Sequence, residues 1–252
     1  MDNVTNRRIR ITLGACLTLL ALSATALVVW WLSPPRGLDR WREGPPPVHW
    51  AVWTRQEERW AAEGAHRPIE HQYLPLREIA PELQLAVLAG EDINFFGHGA
   101  VDLHEIWGVV SERRPGERLR GASTISQQLA RTLFLSPERT FARKLKELRL
   151  AWWLERRLGK RRVLELYLNV VEFGPGVFGA EAASLRYLGV GCRHLDDSQA
   201  ASLAAAIPAP GRDNPATGTE RWEFRRATIV NRMAKAGWLR NLLTTVELER
   251  HR

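Results

Sequence analysis

Two carboxylates stand in the most distinctive local patterns of this sequence. Glu91 opens Glu91-Asp92-Ile93-Asn94-Phe95-Phe96-Gly97-His98, and Glu147 follows Arg143 and Lys144 by one helical turn. Carboxylates brought together from distant points of a chain commonly serve in making or breaking sugar bonds, one taking a proton while the other works on the opposite side. Between them lies Gly121-Ala122-Ser123-Thr124-Ile125-Ser126-Gln127-Gln128, in which Thr124 and Gln127 form the outline of a capping box. Gly121 frees the backbone before that helix, so Ser123 and the first amides are expected to face an anion such as phosphate. Gln127 and Gln128 sit off the apolar stripe and are candidates to bind the same ligand. His98 and His104 do not have the spacing of a helical metal-ligand pair, and His98 reads better as a hydrogen-bonding residue.

Helices must position these groups. Residues 81–90 start with proline at a favoured first position and end in glycine, which leaves Glu91 just past a helix C-terminus. The negative end of the helix dipole there suits a glutamate to base work. A second helix is expected over residues 140–157, with Phe141, Leu145, Leu148 and Trp152 as its core stripe. Glu147 then falls off the stripe, beside Arg143, and points into a cleft. Residues 163–169 also read as helix, so the pattern Gly174-Pro175-Gly176-Val177-Phe178-Gly179 after them is a helix-to-helix loop, not a dinucleotide site. Residues 111–120 read as a mobile polar loop, 196–207 as a capped helix, and 222–236 as a last amphipathic helix ending at Gly237. The expected fold is mainly α.

The 252 residues suit one catalytic domain, and their 45% apolar content gives ample material for a core. A net charge of +8 points to anionic partners. The run 11–32 holds no charged residue and would span roughly 33 Å as a helix, enough for a hydrocarbon layer. Arg7, Arg8 and Arg10 precede it and put the N-terminus in the cytoplasm. Ala24-Thr25-Ala26 resembles a signal cleavage site, but the apolar run continues through Trp31, so a retained anchor is expected. The Pro-rich stretch after it reads as a linker. Cys16 and Cys192 are not expected to pair, and no metal site has enough thiols.

Taken together, the segments resemble glycosyltransferase family 51, the peptidoglycan glycosyltransferases. Glu91, Asp92, Phe95 and His98 match E-D-x-x-F-x-x-H, residues 121–128 match G-[GA]-S-T-I-[TS]-Q-Q, and Arg143, Lys144 and Glu147 match R-K-x-x-E. The match covers residues 74–210, in order. Residues 172–183 look like the monofunctional branch. Arg131-Thr132 stands where the family usually has Lys-Asn, and Gln199 replaces a usual Glu.

The resemblance implies a lysozyme-like helical catalytic domain with a smaller membrane-facing lobe, behind one N-terminal transmembrane helix. The division would be a cytoplasmic tail 1–10, a span 11–32, a linker and membrane-proximal segment 33–73, and the catalytic domain 74–252. The implied activity polymerises lipid II into β-1,4-linked glycan with inversion and release of undecaprenyl pyrophosphate. Glu91 is then the base and Glu147 assists by orienting groups or a cation near the leaving phosphate. Asp92, Phe95, His98, Ser123, Gln127, Gln128, Arg131, Arg139, Arg143 and Lys144 would bind substrate. The sequence requires no cofactor and leaves open a divalent cation near the pyrophosphate. Implied partners are lipid II, the growing glycan, membrane phospholipid and cell-wall synthesis machinery, with no nucleic acid. The implied location is the bacterial inner membrane, single-pass, with the catalytic domain periplasmic. No S-x-x-K or K-T-G pattern occurs, so no transpeptidase is expected. A glycan-cleaving enzyme of lysozyme type and a non-catalytic membrane scaffold are the rival readings.

Overall fold

The computed structural model describes residues 2–65, 67–102, 123–138 and 140–248. The expectations for residues 103–122, among them His104, Gly121 and the polar loop 111–120, lie outside the described residues, as does Arg139. The chain divides into two units, Met1–Leu38 and Asp39–Arg252. The first is essentially one helix, α1 (Asp2–Leu32), and its stretch Leu13–Leu32 is long and apolar enough to cross a membrane.

The second unit is mainly helical, as its sequence pattern requires. Its described helices are α2 (Ala51–Ala62), α3 (Pro81–Glu91), α4 (Ile125–Phe134), α5 (Phe141–Val170), α6 (Ala180–Leu188), α7 (Asp197–Ala204), α8 (Glu220–Lys235) and α9 (Gly237–Leu248). The middle of helix α3 is apolar on most sides, and Leu83, Leu85, Ala86, Val87 and Leu88 are fully buried. So wide an apolar surface needs cover from several neighbours, and α7, α8 and α9 pack against it. Helices α4 and α5 form the other extensive pairing. Thr124, Thr140, Asp196 and Thr219 each cap a helix by accepting a backbone N–H, worth about 1 kcal/mol apiece. Gln199 completes a capping box with Asp196, its amide oxygen accepting the Asp196 N–H at 3.0 Å. A glutamine serves there because only an acceptor oxygen is needed.

Four sequence expectations change. The Pro-rich stretch read as linker carries a short 3-10 turn at Leu38–Trp41, and the membrane-proximal segment after it carries the helix α2, which buries Gln56 and Trp60. The G-x-G-x-x-G stretch is not a plain helix-to-helix loop. It forms β2 (Glu172–Gly174) and β3 (Val177–Phe178), antiparallel to each other, with β1 (Glu70–His71) parallel to β3. Gly176 sits at φ +73, and a Cβ there would lie 2.1 Å from the Trp60 ring, so close approach of backbone to indole explains that glycine. Helix α8 is followed by a further helix, α9, which starts at Gly237.

The fourth change concerns α5, which kinks at Gly159 (φ +76). Its buried residues before the kink are Glu147, Ala151, Trp153 and Leu154, whereas Phe141 is 85% exposed and Leu145, Leu148 and Trp152 are half-buried. The apolar stripe does not set the inward face. Helix α4 packs on the side that carries Glu147, and a paired carboxylate can be accommodated there.

Candidate active site

Glu91 is the last residue of α3 and lines an open cleft of about 1140 Å³, with Ser123, Gln128, Arg131, Arg225 and Arg232 also in its walls. Its two oxygens are held from different directions. Gln128 on α4 donates its amide Nε2–H to Oε2 at 2.9 Å, and Arg225 on α8 pairs with Oε1 through Nη2. The Gln128 amide oxygen accepts from the Tyr167 hydroxyl at 2.7 Å. An ionised carboxylate can only accept, so Gln128 must present its NH₂ to Glu91 and its oxygen to Tyr167. Tyr167 is fully enclosed, and its hydroxyl pKa is pushed well above the usual tyrosine range. Burial is the main cause and the charge of Glu91 adds to it, against the pull of Arg131 and Arg225. The hydroxyl therefore stays protonated and keeps donating.

The neighbouring motif residues build the wall instead of reaching into the space. Phe95 is fully buried, with the Lys160 ammonium 4.2 Å from its ring centroid. Asp92 holds His98 Nε2 at 2.6 Å through Oδ1 and accepts the Ile125 backbone N–H at 3.0 Å through Oδ2. His98 Nδ1 lies 2.6 Å from the Gly99 carbonyl, so both ring nitrogens face acceptors. Burial alone would lower the His98 pKa, but the hydrogen bonds to Asp92 and Gly99 and the Asp92 charge raise it above the ordinary value.

This arrangement takes up one amide of the expected phosphate site. The start of α4 does attract an anion, but at Ile125 that anion is the chain's own Asp92. Thr124 accepts the Gln127 N–H at 3.3 Å and donates to Ala100 at 2.9 Å. The reciprocal half of the capping box is absent, because the Gln127 side chain bonds Ala100 and Lys144 instead.

Glu147 lies elsewhere. It is 1% exposed, and none of the described residues lining the Glu91 cleft comes from α5. Arg143 Nη1 pairs with its Oε2, and Lys144 Nζ with its Oε1 at 2.5 Å. Lys144 continues to Gln127 Oε1 at 2.7 Å and Ser123 Oγ at 3.2 Å. Gln127 and Gln128 thus diverge, the first toward the Glu147 group and the second toward Glu91. A divalent cation does not suit this donor set, since both Glu147 oxygens already face cations. Among the described residues no group of three or more His, Cys, Asp or Glu side chains could hold a metal.

Sequence reasoning missed Arg225 and Arg232, along with Arg221 and Phe224 on the same cleft wall. Arg221, Arg225 and Arg232 share one face of α8 at helical spacing, a signal that was available. It lay beyond the motif region and gave no indication of which helix that face would meet. Both cysteines are free, Cys192 buried and Cys16 exposed.

A family model described as Transglycosylase matches residues 58–234. The chain is 50% identical over 169 residues to the biosynthetic peptidoglycan transglycosylase of Shewanella amazonensis, covering 66% of this chain and 68% of that protein. The like-named protein of Shewanella oneidensis is 44% identical over 169 residues, with 67% and 72% covered. That of Aeromonas hydrophila is 40% identical over 192 residues, with 74% and 80% covered.

Proposed function

This chain belongs to the transglycosylase family, and from that premise we propose that it is a peptidoglycan glycosyltransferase that polymerises lipid II. Glu91 acts as the base. It takes the proton from the 4-hydroxyl of the acceptor sugar, and that oxygen attacks the anomeric carbon of the growing chain from the opposite face. The new C1–O4 bond forms with inversion as the C1–O bond to phosphate breaks. Undecaprenyl pyrophosphate leaves with the bonding electrons, and the product is β-1,4-linked glycan.

The observation that carries this reading is the placing of Glu91. It sits at the end of α3 in a large cleft whose walls also carry Arg131, Arg225 and Arg232, while Asp92 beside it is engaged by His98 and the Ile125 N–H. Cations near a departing pyrophosphate stabilise the charge it gains. Arg143, Lys144, Ser123, Gln127 and Gln128 complete the polar surface around the start of α4. Glu147 works through Arg143 and Lys144, holding both cations in place while touching no substrate. Asp92, Phe95 and His98 shape the wall that sets Glu91.

A lipid-linked substrate suits an anchored enzyme. The apolar span Leu13–Leu32 holds the chain in the inner membrane, Arg7, Arg8 and Arg10 keep the N-terminus cytoplasmic, and the catalytic unit works in the periplasm. Phospholipid and the cell-wall synthesis machinery are its surroundings, and these residues add no transpeptidase chemistry. Purified protein given labelled lipid II should yield polymer, and given intact peptidoglycan should release no fragments. Fragments without polymer would establish the lysozyme-type reading. Absence of both would favour a scaffold.

A further inference from the structure

We propose that Arg225 is a positioning residue for Glu91, carried on α8 and acting with Arg232 as a clamp on the end of α3. The inference rests on the reading of Glu91 as the base. The last carbonyls of a helix have no partner within it, and cations are favoured there. At the end of α3 two of these carbonyls are met by guanidinium groups of one neighbouring helix. Arg232 Nη1 donates to the Ala89 carbonyl at 3.0 Å, and Arg225 Nη2 donates to the Gly90 carbonyl at 3.1 Å. The same Arg225 nitrogen pairs with Glu91 Oε1. One side chain therefore grips both the backbone that carries the base and the base itself.

The surrounding packing makes that grip rigid. Ile229, between the two arginines on α8, lies so close that a Cβ on Gly90 would be 3.1 Å from its Cδ1. Helix α8 is fixed in turn by the Thr219 cap and by the Trp222 indole N–H, which donates to the Ser202 carbonyl at 2.9 Å. With Gln128 on Oε2 and Arg225 on Oε1, the carboxylate plane is set from two elements far apart in the chain. Two donors leave about two of its four acceptor positions open, so a sugar hydroxyl can still bind. This is not an exposed surface pair, since the Glu91 side chain is only 10% exposed. Both contacts come from Arg225 Nη2, so a lysine ammonium, shorter in reach, can replace them only in part.

The test is steady-state lipid II polymerisation by the full chain carrying Arg225→Ala or Arg225→Lys, with Arg226→Ala as a neighbour outside the cleft. Misplacing a reacting group by about 1 Å can cost roughly 100-fold. Arg225→Ala should therefore lower kcat by about 10- to 100-fold with KM little changed. Arg225→Lys should recover part of the loss, and guanidinium ion added to Arg225→Ala should restore part of kcat without helping Glu91→Gln. Arg226→Ala should keep the wild-type rate. Wild-type kcat in Arg225→Ala would overturn the inference, as would a raised KM with unchanged kcat. So would a loss that neither lysine nor guanidinium restores and that comes with a lower melting temperature. Those outcomes leave Glu91 as the base so long as Glu91→Gln is inactive. An active Glu91→Gln would instead overturn the reading beneath it.

Discussion

Both glutamates pair with an arginine, yet their surroundings are opposites. Glu147 takes its two cations from its own helix, Arg143 and Lys144 one turn back, and all of its carboxylate is buried. Glu91 takes its donors from two other elements, Gln128 on α4 and Arg225 on α8, and it faces an open cleft. A carboxylate enclosed by cations has little capacity left to take a proton from a sugar. One held at its edges beside open space can do so. On the proposed reading, the difference separates a residue that secures the scaffold from one placed to react.

Substitutions can break or sharpen that contrast, and the largest effect is expected at Glu91. Glu91→Gln keeps the shape and loses the base, so polymerisation should fall by about 10²- to 10⁴-fold while the melting temperature stays near wild type. Glu147→Gln should do the reverse in emphasis. It leaves Arg143 largely buried and Lys144 part-exposed without their counter-charge, and denaturant unfolding should show a loss of roughly 1–3 kcal/mol. A stable Glu147→Gln protein would erase the distinction.

Arg131→Ala removes a cleft cation without touching either glutamate's hydrogen bonds, and should weaken polymerisation by about tenfold. Near-normal activity would remove Arg131 from the phosphate role. Tyr167→Phe strips the donor that orients Gln128 and leaves its part-buried amide oxygen without that partner. It should cost about 1–3 kcal/mol of stability, with a smaller fall in kcat.

The smallest effect concerns pH. His98 is raised in the fold, so its stabilisation through Asp92 is fully present below its unfolded value of about 6.5 and fades as pH rises through the higher folded value. The melting-temperature gap between wild type and His98→Asn should therefore be wider in mild acid than in alkali. A gap that does not change with pH would show that His98 acts as a neutral spacer.

Local signals were legible in the sequence wherever one segment decides the outcome. The proline start of α3 and the Thr124 cap follow from residue types at helix ends. The extra residue of α3 matters little, though it puts Glu91 on the helix and not after it. What stayed hidden depends on partners from other segments. The helical wheel turned Phe141, Leu145, Leu148 and Trp152 inward, but α4 packs against the Glu147 face, where the two cations make burial of a carboxylate tolerable. The helix N-terminus suited a phosphate on local grounds until Asp92, from another segment, supplied the anion. Arg225 lies outside every recognised motif, and only the packing of α8 on α3 brings it to Glu91.

The central claim is that Glu91 performs the proton transfer while Glu147 holds its surroundings. Its most direct test is a single-turnover reaction of Glu91→Gln with a labelled growing chain as donor and lipid II as acceptor, alongside wild type. The account predicts that the variant is folded and binds both substrates, yet forms almost no new glycosidic bond. Bond formation at the wild-type rate would contradict it.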